Sequence, residues 1–278
     1  FSAIITQNSI FAEQTDWNQW RGSNRDAVVT GKTWPNDLKA SHFALKWTVK
    51  MGSSYSGPIM DGKTIYVTES SGDNEVVRAL DRTTGKEIWR HTWGGKMRVP
   101  FFAAKNGSWI RSTPALANDK LFVAGMRDHL LCIDTKTGKR LWEIDFPKEH
   151  KTPVPSFGCV CSPMVDDKYV YMQAGAAFCK IEQDTGKIVW QSMKDKGGMY
   201  DSAFSSPVFA TIRDKEQILV QSRTELAGVD IDSGGVLWRQ PIKAFRGMNI
   251  LTPLPYNNGV YTSAYGGRSH FFGIKRDQ

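Results

Sequence analysis

Short apolar runs recur along most of the chain, and polar segments that contain glycine or proline separate them. Runs such as 64–67, 120–123 and 169–171 contain Val, Tyr, Phe and Leu, which favour pleated strands. No long segment places its apolar residues at the 3.6-residue period of a helix. The pattern therefore predicts an all-β chain built from many short strands.

One phrase recurs four times: an aliphatic residue, an acid, two residues, Thr or Ser, Gly, and a Trp four positions after that Gly. Successive glycines of the phrase are 53, 48 and 48 residues apart. Such a period is typical of a repeat architecture. The repeat residues are the acids Asp81, Asp134, Glu182 and Asp230, the glycines Gly85, Gly138, Gly186 and Gly234, and the tryptophans Trp89, Trp142, Trp190 and Trp238.

Each phrase predicts a β-hairpin. The acid can accept hydrogen bonds from free N–H groups of the turn, and the glycine can adopt the positive φ that the turn requires. Alternation along the outgoing strand places the residue before each Trp on the face opposite the ring. A large ring at one fixed position per repeat suits sheets that stack face to face.

A second marker, a Pro that follows a small residue, precedes each phrase, and an apolar run follows it. Each repeat thus contains four short strands in about 48 residues, which is the anatomy of one propeller blade. We predict a β-propeller of four-stranded antiparallel blades at about 55–92, 110–145, 159–193 and 203–241, with part of a fifth at 250–276.

The segments at either side of the repeats allow two interpretations. Residues 45–50 look like a Trp strand around Trp47, and 250–276 read as the first three strands of a blade. Either the Trp47 strand completes the fifth blade and closes a five-bladed ring, or the chain is a fragment of a longer propeller. The second is favoured, and a fragment would allow self-association through its open blade edges.

The first residues predict export. Residues 1–12 resemble the remnant of a signal peptide with cleavage after Ala12, 13–44 form a lead-in, and 45–278 form the propeller. No apolar run is long enough to span a bilayer, so no transmembrane segment is predicted. The expected location is the periplasm or cell envelope.

The Asp-x-x-Thr-Gly-Lys-x-x-Trp phrase resembles the repeat of quinoprotein dehydrogenases and of related non-enzymatic propellers. The propeller lipoprotein of the outer-membrane β-barrel assembly machinery belongs to the second group. The segment Trp20-Arg21-Gly22 is similar to the start of exported quinoprotein-like propellers. The resemblance implies a ring of eight blades and a fold that does not decide function.

In the enzymes of this family, the resemblance implies pyrroloquinoline quinone packed against a disulfide between adjacent cysteines, with a bound Ca²⁺ and an Asp as base. The nearest pair in this chain is Cys159-Val160-Cys161, which is not adjacent. Neither a clustered acidic and amide motif nor a histidine ligand spacing is present. No cofactor, metal or catalytic residue is predicted, and quinone with calcium is the alternative.

The composition adds a net charge of +8 and a pI of about 9.3, which favour anionic partners. The basic residues are scattered among acidic ones, which is typical of a solvated surface rather than a specific nucleic-acid site. The predicted partner is a protein or a cell-envelope polymer. An anion- or carbohydrate-binding module is an alternative.

Function in propellers usually resides on loops at the channel ends. The loops between blades contain aromatic and basic residues suited to a binding surface, although these residues can instead pack over blade edges or form ion pairs between blades. We interpret the chain as a non-catalytic binding scaffold, with a quinone-dependent dehydrogenase as the enzyme alternative. The candidate surface residues are Trp93, Arg98, Phe101, Phe102, Trp109, Arg111, Asp201, Arg246 and Asn249.

Overall fold

The computed structural model describes residues 16–29, 36–195 and 202–275. These residues form five antiparallel sheets, and in every sheet the strands follow one another in chain order. The predicted all-β propeller is confirmed. The only α-helix among the described residues is α1 (Phe146–His150), and short 3-10 turns cover Ala40–His42, Phe101–Asn106 and Phe245–Gly247.

The first two blades have four strands each. Blade 1 consists of β1 (Ile59–Met60), β2 (Thr64–Ser71), β3 (Asn74–Asp81) and β4 (Glu87–Gly94). Blade 2 consists of β5 (Ala115–Ala117), β6 (Lys120–Gly125), β7 (His129–Asp134) and β8 (Arg140–Asp145).

The remaining blades repeat this order. Blade 3 consists of β9 (Met164–Val165), β10 (Tyr169–Ala174), β11 (Ala177–Glu182) and β12 (Ile188–Ser192). Blade 4 consists of β13 (Val208–Ile212), β14 (Lys215–Gln221), β15 (Glu225–Val229) and β16 (Val236–Pro241). Blade 5 has three described strands, β17 (Leu254–Tyr256), β18 (Gly259–Ser263) and β19 (Ser269–Gly273).

The first strands of neighbouring blades lie close together, as β5 does to β9 and β13 to β17. These strands therefore line the central channel, and the Trp-bearing last strands lie outside. The faces of adjacent blades share one apolar core. Between blades 1 and 2, for example, Val77 and Ala79 pack with Leu121 and Leu131, all of which are buried.

The hairpin turns have the structure that the repeat predicts. The Asp81 carboxylate accepts hydrogen bonds from the backbone N–H of Thr84 at 2.7 Å and from the Thr84 hydroxyl at 2.7 Å. These bonds hold the pKa of Asp81 below its usual range, with the Thr84 hydroxyl as the main cause. Gly85 adopts φ 70°, a left-handed conformation that glycine accepts without strain.

Each repeat Trp connects its blade to the turn of the following blade. Trp89 stacks on Gly138 and donates its indole N–H to the Thr135 carbonyl, the residue after the turn acid, at 2.7 Å. A Cβ on Gly138 would lie 2.7 Å from the ring, so the glycine also permits this close approach. Trp142 and Trp190 make the same pair of contacts with the Gly186 and Gly234 turns.

The two ends of the Trp series depart from this scheme. Trp47 stacks on Gly85 and donates to the Arg82 carbonyl at 2.9 Å, although 43–50 is not a strand. The expected strand around Trp47 is therefore wrong, because among the described residues 45–50 no backbone pairs with a sheet, including blade 5. Trp238 donates within its own blade, to the Gln217 side chain at 2.7 Å.

A belt of side-chain hydroxyls links the blades around the channel. The residue before the opening Pro of blades 2, 3 and 4 accepts a hydrogen bond from the equivalent backbone N–H one blade earlier. Gly57 donates to Thr113 at 2.9 Å, Thr113 to Ser162 at 3.0 Å, and Ser162 to Ser206 at 2.9 Å. These bonds satisfy backbone groups that would otherwise be buried without partners.

Candidate functional site

The two ends of the propeller are built differently. Because the strands of a blade alternate in direction, the turns after first and third strands share one end, which we call the hairpin end. The turns after second strands and the connections between blades share the other, which we call the long-loop end. The connections are 95–114, 146–163, 193–207 and 242–253.

An aromatic chain extends across the long-loop end. The rings of Phe101 and Phe102 lie 5.6 Å apart, Phe102 and Phe157 6.1 Å, and Phe157 and Phe204 5.7 Å. These four residues come from the connections after blades 1, 2 and 3. The connections thus converge over the channel mouth rather than remaining above their own blades.

The connection after blade 4 completes this group. The Arg246 guanidinium carbon lies 4.9 Å from the ring centres of both Phe102 and Phe245, and Phe245 packs 6.1 Å from Tyr265. Stacking of Arg on aromatic rings is favourable. We call the set the aromatic–basic cluster; its members are Phe101, Phe102, Phe157, Phe204, Phe245, Arg246 and Tyr265.

Several members of the cluster are exposed. Phe101 is 90% exposed, Phe245 53% and Tyr265 57%. Phe157 is buried and forms the base on which the others rest. Contiguous exposed aromatic surface beside Arg is typical of protein interaction sites rather than of ordinary solvated surface.

Sequence reasoning selected only part of this cluster. Phe101, Phe102 and Arg246 were predicted as surface residues, and the structure brings them together. Phe157, Phe204, Phe245 and Tyr265 were missed. The signal available for them was weak: Phe157, Phe204 and Phe245 are lone aromatic residues, each in a different connection.

Two other predicted residues form a separate group. Trp109 packs 5.4 Å from Tyr55, and the Arg111 guanidinium lies 5.0 Å from the same Tyr55 ring. Arg111 also donates to the Gly107 carbonyl at 3.2 Å. Arg98 is exposed. Trp109 and Arg111 thus extend the aromatic and basic character of the connection after blade 1 towards its blade.

Trp93 and Asn249 are corrections to the predicted surface. Trp93 lies in β4, which extends beyond the expected end of the blade, and the side chain is buried. Asn249 is 1% exposed and donates to the Ser222 and Arg223 carbonyls, so its role is to hold a turn. Asp201 lies outside the described residues.

Glu75 is a buried acid at the long-loop end. Its carboxylate accepts from the Trp93 indole at 2.8 Å and from the Met126 backbone N–H at 3.0 Å, and it thereby joins blade 1 to blade 2. Burial raises the pKa of Glu75 to about 7 despite these two hydrogen bonds. No sequence pattern distinguished this residue.

The lead-in packs against the inner strands of several blades. Trp17 pairs with Met60 of β1 through two backbone hydrogen bonds, and the Asn18 carbonyl accepts from Leu116 of β5 at 2.8 Å. The Trp20 indole donates to the Thr252 hydroxyl at 3.3 Å. We call residues 16–29 the strap, because they contact the inner parts of blades 1, 2, 3 and 5.

Arg25 anchors the strap inside the channel. Its guanidinium is 2% exposed and donates to the Pro163 carbonyl at 2.9 Å and the Ser162 carbonyl at 3.3 Å. Burial lowers the pKa of Arg25 to about 10. The guanidinium also donates to the Gln19 side-chain oxygen at 3.3 Å, and within the described residues no carboxylate pairs with it, so neutral oxygen acceptors stabilise the buried charge.

The described residues do not fit a quinone–calcium site of the kind that the family resemblance implies. Across 16–29, 36–195 and 202–275, no group of three His, Cys, Asp or Glu side chains is arranged to hold a metal ion. Cys132, Cys159, Cys161 and Cys179 are buried free thiols. Burial raises the pKa of Cys161 to about 11, which keeps this thiol neutral and unreactive.

None of the described helices is long and apolar enough to cross a bilayer. The family described as outer membrane protein assembly factor BamB matches residues 73–278. This chain belongs to that family. The match begins at the turn before β3 and includes all four copies of the repeat phrase.

Relatives of two kinds match the chain. The 1-butanol dehydrogenase (cytochrome c) of Thauera butanivorans is 29% identical over 182 residues, which cover 64% of this chain and 25% of the relative. The outer membrane protein assembly factor BamB of Yersinia pestis is 20% identical over 236 residues, 80% of this chain and 56% of the relative. The chain thus spans a quarter to about half of these relatives.

A solved structure supports the fold. The quinohemoprotein alcohol dehydrogenase ADHIIG of Pseudomonas putida HK5 matches with a TM-score of 0.56 and 17% identity. The match covers 89% of this chain and 45% of that one. At this identity the likeness concerns the propeller fold alone.

Proposed function

We propose that this protein is an exported, non-catalytic scaffold that binds a protein partner through its long-loop end. The observation that carries the proposal is the aromatic–basic cluster, in which four separate connections converge to expose Phe101, Phe245 and Tyr265 around Arg246. Aromatic residues and Arg are enriched at the energetic centres of protein interfaces.

Family membership supports a scaffold role. The assembly factor relatives are named for assembling outer membrane proteins. The strap supports the same role, because it links the inner parts of blades 1, 2 and 3 through its contacts with Met60, Leu116 and Ser162. Blades braced in this way form a rigid platform for the loops.

Capture from a cell-envelope extract tests the proposal. The double variant Phe101→Ser/Phe245→Ser removes the two exposed rings, and Ile88→Ser/Leu141→Ser is the matched control. Ile88 and Leu141 are also more than half exposed, but they lie on the outer strands β4 and β8. The captured partner is identified by mass spectrometry, and its binding is then measured with purified proteins. We expect the partner to bind wild type and the control variant equally, and to bind the loop variant at least about tenfold more weakly.

Equal binding of both double variants would contradict the proposal, because the partner would then use another surface. Loss of binding in the control alone would place the interface on the outer strands. Both variants replace exposed side chains, so neither should reduce the stability of the fold by more than about 0.5 kcal/mol.

A quinone-dependent dehydrogenase is the second candidate, and the match to the dehydrogenase of Thauera butanivorans favours it. Titration with pyrroloquinoline quinone and Ca²⁺, followed by absorbance and calorimetry, tests it. We expect no stoichiometric binding, since the described residues contain no group of three His, Cys, Asp or Glu side chains arranged to hold a metal ion. Ca²⁺-dependent binding at one quinone per chain would revive the enzyme hypothesis.

A further inference from the structure

The charge of the molecule is distributed unevenly between its two ends. The described residues of the four long connections contain nine Lys or Arg and two Asp or Glu. The turns of the hairpin end contain eight Lys or Arg and eleven Asp or Glu. These turns are 61–63, 81–86, 118–119, 134–139, 166–168, 182–187, 213–214, 230–235 and 257–258. The excess positive charge of the protein therefore lies at the long-loop end.

Some cations of each end are paired with acids. Lys120, Lys136 and Lys215 form ion pairs at or beside the hairpin end at 2.7–2.9 Å, and Lys96 pairs with Asp73 at the long-loop end at 2.8 Å. In the described part of the long-loop end, Arg98 and Lys105 are exposed and form no ion pair. The same holds for the exposed Lys148, Lys151, Lys243 and Arg268. These cations keep their charge available to a partner.

Exposed cations surround the exposed rings. Arg98 and Lys105 belong to the same connection as Phe101, and Lys243 precedes Phe245 by two residues. Arg246 lies between the Phe102 and Phe245 rings. A partner that covers this surface must supply both carboxylates and apolar side chains, because unpaired cations buried at an interface are costly.

We infer that the partner of the long-loop end is an acidic polypeptide segment whose carboxylates alternate with apolar side chains. The inference rests on the proposed function and adds the chemistry of the partner. A nucleic acid or an anionic membrane would also supply negative charge to pair with the cations. The exposed rings of Phe101, Phe102 and Phe245, which Arg246 joins, favour a protein surface over either.

The test uses the full chain and a short fluorescent peptide of Glu and Asp interrupted by Phe and Leu. Binding is measured by anisotropy, beside a peptide with Lys in place of every acid, a DNA duplex, and vesicles that contain phosphatidylglycerol. We expect the acidic peptide to bind most tightly and the Lys peptide not to bind. Affinity should decrease as salt increases, because the charges at the surface are screened.

Charge-reversal variants locate the site. Arg98→Glu/Lys105→Glu acts at the long-loop end, and Lys86→Glu/Lys139→Glu makes the same change in net charge with exposed turn residues of the hairpin end. We expect the first pair to weaken peptide binding about tenfold or more and the second less than about twofold. Equal weakening by both pairs, or tighter binding of DNA or vesicles than of the acidic peptide, would overturn the inference.

Failure of this inference is distinguishable from failure of the proposed function. If the partner captured from the envelope extract is lost by Phe101→Ser/Phe245→Ser but retained by Arg98→Glu/Lys105→Glu, the binding surface is correct and the acidic chemistry is wrong. If neither variant affects capture, both are wrong.

Discussion

The hairpin end and the long-loop end are formed by the same blades, but the first is built from a repeated sequence and the second is not. At the hairpin end, one short phrase repeats its turn, its carboxylate hydrogen bonds and its Trp contact from blade to blade. At the long-loop end, each connection has its own sequence, and their side chains meet over the channel. The contrast separates residues that build the propeller from residues available to bind.

The largest effect is expected at a docking Trp. Trp142→Ala removes the ring that stacks on Gly186 and donates to the Gln183 carbonyl. Because the ring fills the space between two blades, we expect a loss of about 3–5 kcal/mol in the free energy of unfolding. Urea unfolding measures it, with Leu141→Ala on the exposed face of the same strand as control. A loss no larger than that of the control would remove the docking role.

The buried acid of the long-loop end gives the next largest effect. The pKa of Glu75 in the folded protein is raised to about 7, so between its unfolded value and pH 7 the folded state binds more protons. Stability should therefore fall as pH rises through this window, by up to about 3 kcal/mol.

Unfolding in urea at several pH values, compared between wild type and Glu75→Gln, isolates this contribution. The difference between the two proteins should change between pH 5 and pH 8. A constant difference would show that the carboxyl group keeps its ordinary pKa and carries no proton in the folded state near neutral pH.

Turn glycines are expected to be less costly to replace than a docking Trp. In Gly138→Ala the new Cβ would lie 2.7 Å from the Trp89 ring on a residue with φ 70°. We expect a loss of about 2–3 kcal/mol, from backbone strain and displacement of the ring. Gly94→Ala is the control, because nothing lies within 4 Å of the added carbon. Equal melting temperatures of Gly138→Ala and Gly94→Ala would contradict the role assigned to Gly138.

The strap should contribute a smaller amount. Arg25→Ala removes hydrogen bonds to the Ser162 and Pro163 carbonyls and leaves a void in the channel. We expect a loss of about 2 kcal/mol and faster amide exchange in residues 16–29. Arg21→Ala is matched to it, since Arg21 has a similar left-handed backbone but donates only to the Asp26 carbonyl. Unchanged exchange would show that Arg25 does not anchor the strap.

The difference between the two ends also explains what the sequence can predict. Turn and Trp contacts involve residues at fixed spacing, so the repeat phrase was sufficient to predict the hairpins and the propeller. The aromatic–basic cluster joins Phe102 to Arg246, which are far apart in the chain and have no common pattern. The position of Trp93 was missed because β4 continues beyond the repeat phrase.

The strap shows a further limit of sequence reasoning. Residues 16–29 contain neither a strand nor a helix period, and their contacts with Met60, Leu116 and Ser162 depend on a ring that other segments must first form. Backbone pairing of this kind leaves little trace in side-chain pattern. The sequence therefore predicts the bounds of the lead-in but not its contacts with the blades.

Photo-crosslinking at one residue of each end tests the central claim most directly. A benzophenone amino acid replaces Phe101 at the long-loop end or Thr83, an exposed turn residue, at the hairpin end. In cells that export the protein, we predict a discrete crosslinked partner from position 101 and none from position 83. A partner crosslinked from position 83 and not from position 101 would contradict the account.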